Sequence, residues 1–203
     1  MEKAITPKTI LFSIIHGNNE IGTIQDLKEL SEICKKHKVL FHTDACQSFT
    51  KTELDVKKQG LDLVTLNSHK IHGPKGVGAL YIKESIKIIP LLHGGGQEKN
   101  LRSGTENIPG IIGFAKSVNL AMNKKHIKYM TKLRDYFTEE ILKIPDTTLN
   151  GPKGNKRLCN NINVSFKYAE GEAIGAQLNA KGICASTGSA CSSYSLEPSH
   201  VII

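Results

Sequence analysis

The sequence predicts an α/β protein built on a mainly parallel sheet, and three observations carry that expectation. Short apolar runs recur at Ile10 to Ile15, Val39 to Phe41, Leu61 to Leu66 and Val77 to Ile82, each of strand length. Between the first two, Ile24, Leu27, Leu30, Ile33 and Cys34 fall on one face at helical spacing. The first three runs each end in a polar cluster: His16-Gly17-Asn18-Asn19-Glu20, His42-Thr43-Asp44 and Asn67-Ser68-His69-Lys70. Strand, helix, strand, helix, strand is the order of a parallel sheet with right-handed crossovers.

The second crossover is expected as a short helix over Asp55 to Gln59, closed by Gly60. After Gly73-Pro74-Lys75-Gly76 comes the strand Val77 to Ile82. A glycine-rich loop, His93-Gly94-Gly95-Gly96-Gln97-Glu98, then leads to Arg102-Ser103-Gly104-Thr105-Glu106-Asn107. A helix starts near Pro109, a favoured first-turn residue, with Ile111, Ile112, Ala115, Val118 and Met122 as its apolar face. A second helical stretch runs to about Lys143 and is stopped by Pro145. Beyond it Asn163 to Phe166 reads as a strand, Glu170 to Asn179 as a helix and Ile183 to Ala185 as a short strand. A domain boundary is expected near residue 125, giving domains 1–125 and 126–203; no internal repeat appears.

Composition narrows the function. The chain has 203 residues, 39% hydrophobic and 23% charged, enough for a real core. Its apolar runs are too short to cross a bilayer and no basic-then-apolar leader opens it, so a cytoplasmic protein without a membrane partner is expected. The net charge of +8 comes from lysines scattered along helices, with only 5% aromatic residues for base stacking; direct nucleic-acid binding is not expected. The 5 cysteines form no CxxC and no zinc spacing, and His69 and His72 have no carboxylate at ligand spacing, so neither a disulfide framework nor a metal site is indicated. Cys34, Cys46, Cys159 and Cys184 read as small core residues. Cys191, between Gly188-Ser189-Ala190 and Ser192-Ser193, has the small polar setting of a reactive thiol.

In parallel sheets ligands bind beyond the carboxyl ends of the strands. The clusters at Asn19, Asp44 and Lys70 are therefore expected to converge on one crevice. A lysine at the end of a buried strand suits a Schiff base, because burial brings its amine toward nucleophilic range. Asp44, on a neighbouring strand end, could pair with a protonated pyridine nitrogen and keep pyridoxal phosphate (PLP) a strong electron sink. Gln47 and Asn19 could donate to the cofactor's phenolic oxygen. Arg102 to Thr105, just before a helix, could gather the phosphate. Each residue also has a plainer reading: Lys70 as a surface lysine, Asp44 as a turn residue, Asn19 and Gln47 as loop polarity, Thr105 or Asn107 as a helix cap.

Taken in order, several blocks resemble the NifS/IscS-like cysteine desulfurases of the class V aminotransferase family. They are Asn18-Asn19-Glu20-Ile21-Gly22, His42-Thr43-Asp44-Ala45-Cys46-Gln47-Ser48, Ser68-His69-Lys70-Ile71-His72-Gly73-Pro74-Lys75-Gly76, Gly94-Gly95-Gly96-Gln97-Glu98, Arg102-Ser103-Gly104-Thr105-Glu106-Asn107 and Gly188-Ser189-Ala190-Cys191. The resemblance implies the type I fold of PLP-dependent transferases: part of the PLP-binding large domain, then an incomplete small α+β domain with a mobile cysteine loop. It implies that Lys70 carries PLP, Asp44 pairs with the pyridine nitrogen, and Asn19 and Gln47 contact the phenolic oxygen. His69 lies near the phosphate and assists proton transfer. Asn67 stands where the family commonly has a phosphate-binding serine. Thr105 reaches the phosphate of the partner subunit, which implies a homodimer with composite sites. Cys191 takes the sulfur of L-cysteine as a persulfide, with L-alanine as product, and is a candidate transient iron–sulfur ligand.

The implied acceptor is an iron–sulfur scaffold or a tRNA thiolation protein. Family members are about twice as long, so the chain reads as a fragment lacking one phosphate loop, a ring-stacking histidine and a carboxylate-binding arginine. Alone it is expected to expose a sheet edge and an apolar face and to lack activity. The alternatives are a selenocysteine lyase or other class V aminotransferase, and a non-catalytic fragment or pseudoenzyme acting in sulfur transfer.

Overall fold

A computed structural model gives the fold of residues 1–187 and 199–202. It forms two compact units, the first of Met1–His16 with Gln25–Lys124, the second of Gly17–Ile24 with the chain from Lys125 onward.

The first unit is organised by side-chain alternation along its strands. Strands β1 (Leu11–Ile15), β2 (Leu40–Asp44) and β3 (Leu63–Asn67) pair in parallel, in that order. Strand β4 (Gly78–Ile82) adds antiparallel to β3, so the sheet is mixed at this edge, as a short connection from β3 requires. Phe12, Ile14, Phe41, Val64 and Leu66 build the core with helix α1 (Leu27–Lys36), whose buried residues are Leu27, Ser31 and Cys34. Phe12 stacks on Phe41 at 5.7 Å between ring centroids. Asp26 caps α1, its side chain accepting the Glu29 N–H at 3.1 Å, a contact worth about 1 kcal/mol.

The other face of the same strands is polar at its centre. Ser13 Oγ and Thr65 Oγ1 bond the two ring nitrogens of His42, at 2.7 and 2.8 Å. Burial lowers the imidazole's affinity for a proton, against a smaller opposite pull from Asp44.

Two expected elements are absent. Residues 56–60 form turns rather than a helix: the Asp55 carboxylate caps a single turn by accepting the Lys57 and Lys58 N–H groups at 3.0 Å, and Gly60, left-handed at φ +64°, ends it there. Residues 183–186 have no strand pairing. Helix α2 (Ile108–Ala121) closes the first unit, with Asn107, not Thr105, as its cap. At the two sheet margins Leu11 is 44% and Leu80 47% exposed, so apolar edge residues do face outward.

The second unit contains helix α3 (Lys124–Ile141), a two-stranded antiparallel sheet of β5 (Thr147–Leu149) and β6 (Val164–Phe166), and helix α4 (Gly171–Ala180). Strand β5 has no counterpart in the sequence-based expectation. It pairs through only three residues, too few to show an alternating pattern.

Candidate active site

The carboxyl ends of the three parallel strands share one edge of the first unit, and the chain turns sharply at each. After β1, His16 donates its N–H to the Asp44 carbonyl at 2.8 Å. Its ring Nδ1 bonds Ser48 Oγ at 2.9 Å, and the residue is only 2% exposed. Burial pulls the imidazole down to about 4, so it is neutral at pH 7.

After β2, the Asp44 carboxylate accepts the Cys46 N–H at 2.8 Å, which fixes the turn that follows. The Cys46 thiol is pushed up to about 12, first by burial, then by hydrogen bonding to Asp44 and by that carboxylate's charge. Lys70 and Asn67 oppose this shift. Asp44 and the turn that bears Lys70 follow adjoining parallel strands at one sheet edge, although 26 residues separate Asp44 from Lys70 along the chain.

After β3, the chain enters a single 3-10 turn, His69–Ile71. The Lys70 N–H donates to Asn67 Oδ1 at 3.3 Å. Lys51 Nζ donates to the Gln47 carbonyl at 2.8 Å and to the Lys70 carbonyl at 3.4 Å, tying the two turns together. His72 closes the turn in the left-handed region at φ +64°, a conformation that β-carbon residues adopt at some cost. Helix α2 braces it from behind. A Cβ on Gly73 would lie 2.0 Å from Ser68 Oγ and 2.5 Å from Ser117 Oγ, so only glycine fits there.

Lys70 is exposed, as is His69, so the expectation of a buried strand-end lysine is corrected: the residue lies one turn past the strand. Gln47 and Asn67 are half-buried. Thr105 is exposed, in a segment where Ser103 Oγ donates to the Gly95 carbonyl at 2.8 Å and Gly104 N–H to Gln97 Oε1 at 3.1 Å. Those bonds join the glycine-rich loop to the residues preceding α2.

Asn19 is exposed and belongs to the second unit. Cys191 lies outside the described residues. Cys184 is exposed and so is not a core residue, whereas Cys34 and Cys159 are buried. Sequence reasoning gave no role to His16 or Lys51, and it read Cys46 as a core residue, whereas that residue is only half-buried. His16 sits directly after an apolar strand run, and Gln47 and Lys51 are spaced i, i+4; both signals were in the sequence.

The donor set fits PLP. A primary amine, a carboxylate and a half-buried amide stand on adjoining turns of one sheet edge, with the carboxylate already oriented by a backbone N–H. Among the described residues no cluster of His, Cys, Asp or Glu could hold a metal ion. No helix among them is long and apolar enough to cross a membrane.

The family model for class-V aminotransferases matches residues 1–203. The chain belongs to the class-V aminotransferase family. Among its curated class-V relatives, cysteine desulfurase IscS of Dictyoglomus turgidum is 54% identical over 205 residues, covering 100% of this chain and 52% of the relative. Cysteine desulfurase IscS of Methanosarcina thermophila is also 54% identical, with 50% of its length covered. A solved NifS-like protein superposes with a TM-score of 0.86 at 38% identity, over 92% of this chain and 52% of its own. The NifS-like protein of Rickettsia africae gives 0.84 at 33% identity, over 93% and 52%. The chain therefore spans about half the length of the class-V proteins it matches, and its α/β fold with a mainly parallel sheet is theirs. The family is PLP-dependent.

Proposed function

We propose that these residues form the cofactor-holding part of a cysteine desulfurase, which removes sulfur from L-cysteine, releases L-alanine and leaves a persulfide on Cys191. The observation that carries this reading is that Asp44, Asn67 and the turn bearing Lys70 stand at the carboxyl ends of adjoining parallel strands, in a chain 54% identical to curated cysteine desulfurases. Residues 1–125 then belong to the PLP-binding domain and 126–203 to the smaller domain that bears the cysteine.

Bound PLP supplies an electron sink for the charge left when the substrate's α-proton departs. The chain supplies everything that holds and orders that chemistry. Lys70 Nζ would hold the cofactor, and as a free amine it would be the base that moves the α-proton. Its exposure leaves that nitrogen open to exchange with a second amine. The Asp44 carboxylate offers a negative partner to the pyridine nitrogen, and the Cys46 N–H keeps it oriented. Asn19 and Gln47 donate to the phenolic oxygen, while Asn67 and His69 serve the phosphate with Thr105 of a second copy, in a homodimer with composite sites. The neutral His16 and the protonated Cys46 thiol add no charge that would compete with Asp44. The Cys191 thiolate attacks the sulfur of the bound substrate: the new S–S bond forms as the C–S bond breaks, and the electron pair leaves with the carbon. The persulfide then passes to an iron–sulfur scaffold or a tRNA thiolation protein, in the cytoplasm.

The test uses protein expressed from the full reading frame that contains these 203 residues, supplied with PLP and L-cysteine. Alanine release and a persulfide on Cys191 in equal amounts are expected. Alanine without any persulfide on Cys191 would overturn the reading.

A further inference from the structure

In the second unit the loop Gly17–Ile24 is held from one side by residues 150–161. The loop is a tight reversal. Gly17 and Ile24 form an antiparallel bridge, Asn18 N–H donates to the Thr23 carbonyl at 2.8 Å, and Asn18 Oδ1 accepts from Glu20 and Ile21 N–H at 2.9 Å. Two backbone bonds then dock it: Ile24 N–H to the Lys156 carbonyl at 2.9 Å and Leu158 N–H to the Gly22 carbonyl at 2.8 Å.

The side chain of Asn161 completes the attachment. Its Nδ2 donates to the Glu20 carbonyl at 2.9 Å and to the Asn19 carbonyl at 3.3 Å. Its Oδ1 accepts from Arg157 Nη1 at 2.8 Å. Both amide protons and one lone pair of the oxygen are engaged, so rotating the amide by half a turn would break all three bonds at once.

Arg157 is itself buried, at 3% exposure, and no carboxylate pairs with it among the described residues. Its Nε donates to the Pro152 carbonyl at 2.6 Å and its Nη2 to the Asn150 carbonyl. Arg134 of α3, also buried, donates to the carbonyls of Arg157 and Leu158 at 2.7 and 3.2 Å. Burying two cations side by side is costly unless each is fully bonded. Arg134 is also paired with Asp135 at 2.7 Å, and the two guanidinium groups together fix residues 150–158, the Asn161 amide and the loop against it. Gly22, at φ +70°, fits that close approach: a Cβ there would lie 2.6 Å from Asn161 Oδ1. The backbone of Asn19 is therefore gripped while its side chain remains exposed.

We infer that Asn161, oriented by Arg157, is a positioning residue that sets where the Asn19 side chain points. This rests on the reading of Asn19 as a donor to the cofactor's phenolic oxygen. A donor held by its backbone loses little freedom on meeting its acceptor, which is how a neutral amide contributes a full hydrogen bond.

The experiment compares Asn19→Ala, Asn161→Ala, Asn161→Asp and the double variant Asn19→Ala/Asn161→Ala in the full-length, PLP-loaded protein. Asn161→Asp keeps the acceptor for Arg157 but turns an oxygen toward the two carbonyls. The readouts are cofactor affinity, the pH midpoint of the bound cofactor's visible absorbance and hydrogen exchange at Glu20 to Gly22. Asn19→Ala and both Asn161 variants should move the pH midpoint in the same direction and weaken PLP binding about three- to tenfold. The double variant should be no worse than Asn19→Ala, because one residue acts through the other. Exchange at Glu20 to Gly22 should speed up in the Asn161 variants only. Should Asn19→Ala shift the midpoint while Asn161→Asp leaves both midpoint and affinity unchanged, the inference is overturned and the site reading stands. An unshifted Asn19→Ala would remove the site reading and this inference with it.

Discussion

Asp44 holds the backbone N–H of Cys46 at 2.8 Å and, with burial, keeps that residue's thiol protonated to about pH 12. At pH 8 the thiolate fraction at Cys46 is then about one in ten thousand. Under a short pulse of iodoacetamide, exposed Cys184 should be labelled well before Cys46, which should react hardly at all. Peptide mapping by mass spectrometry reads the order; equal labelling of Cys46 and Cys184 would show the thiol to be ionised.

Asp44→Asn removes the charge that favours a protonated pyridine nitrogen while keeping the side chain's shape. α-Proton loss should slow by at least about tenfold, in line with one lost charge-assisted contact, and cysteine binding should change less. Stopped-flow absorbance separates the two steps. A parental rate would mean that no ion pair forms there.

Lys70→Ala should abolish covalent retention of PLP. Borohydride reduction of the parental protein followed by digestion should place the cofactor label on the peptide carrying Lys70. A label on Lys51, whose amine reaches the Lys70 carbonyl, would move the assignment to the neighbouring turn.

Cys191→Ser should still bind PLP and L-cysteine, yet form no persulfide and little alanine. Intact-mass and peptide analysis locate the sulfur. Its appearance on Cys34, Cys46, Cys159 or Cys184 would refute the assignment.

His16 gives a pH dependence whose sign follows from its burial. Its folded pKa of about 4 lies below the ordinary 6.5, so the unfolded chain takes up the proton first as pH falls. The stability tied to the neutral ring is complete above pH 6.5 and is lost progressively down to about pH 4, by a few kcal/mol. Urea unfolding at pH 7 and pH 5 should show a smaller drop for His16→Gln than for the parental protein. Identical drops would mean that the ring titrates normally in the fold.

The three parallel strands were legible because each is a short apolar run ending in a polar cluster. Phe41 and Val64, inside those runs, are buried in the core, and Phe12 packs against it. The grouping of Asp44 with Lys70 was legible too, since parallel pairing puts strand ends on one edge. What escaped the sequence depended on backbone bonds. Asp55 does cap a first turn, but the left-handed Gly60 ends the segment before a helix can grow from it. Lys70 follows a strand in sequence, but the 3-10 turn carries it outward. The role of Asn161 was invisible, because nothing in its own neighbourhood refers to Asn19.

That last pairing has a consequence for how the molecule is made. Asn161 lies 142 residues after Asn19, so the loop leaves the ribosome long before its clamp exists. At ordinary synthesis speeds the delay is on the order of ten seconds, far longer than a loop of this size needs to sample its conformations. Residues 17–24 must wait as an unfastened segment while the sheet around β1 and β2 forms, and they become ordered only when the chain near Asn161 arrives. Contacts of such long sequence separation form late and slow folding. A nascent chain halted before residue 150 would carry strand β1 in place and the loop beyond it still open to proteases.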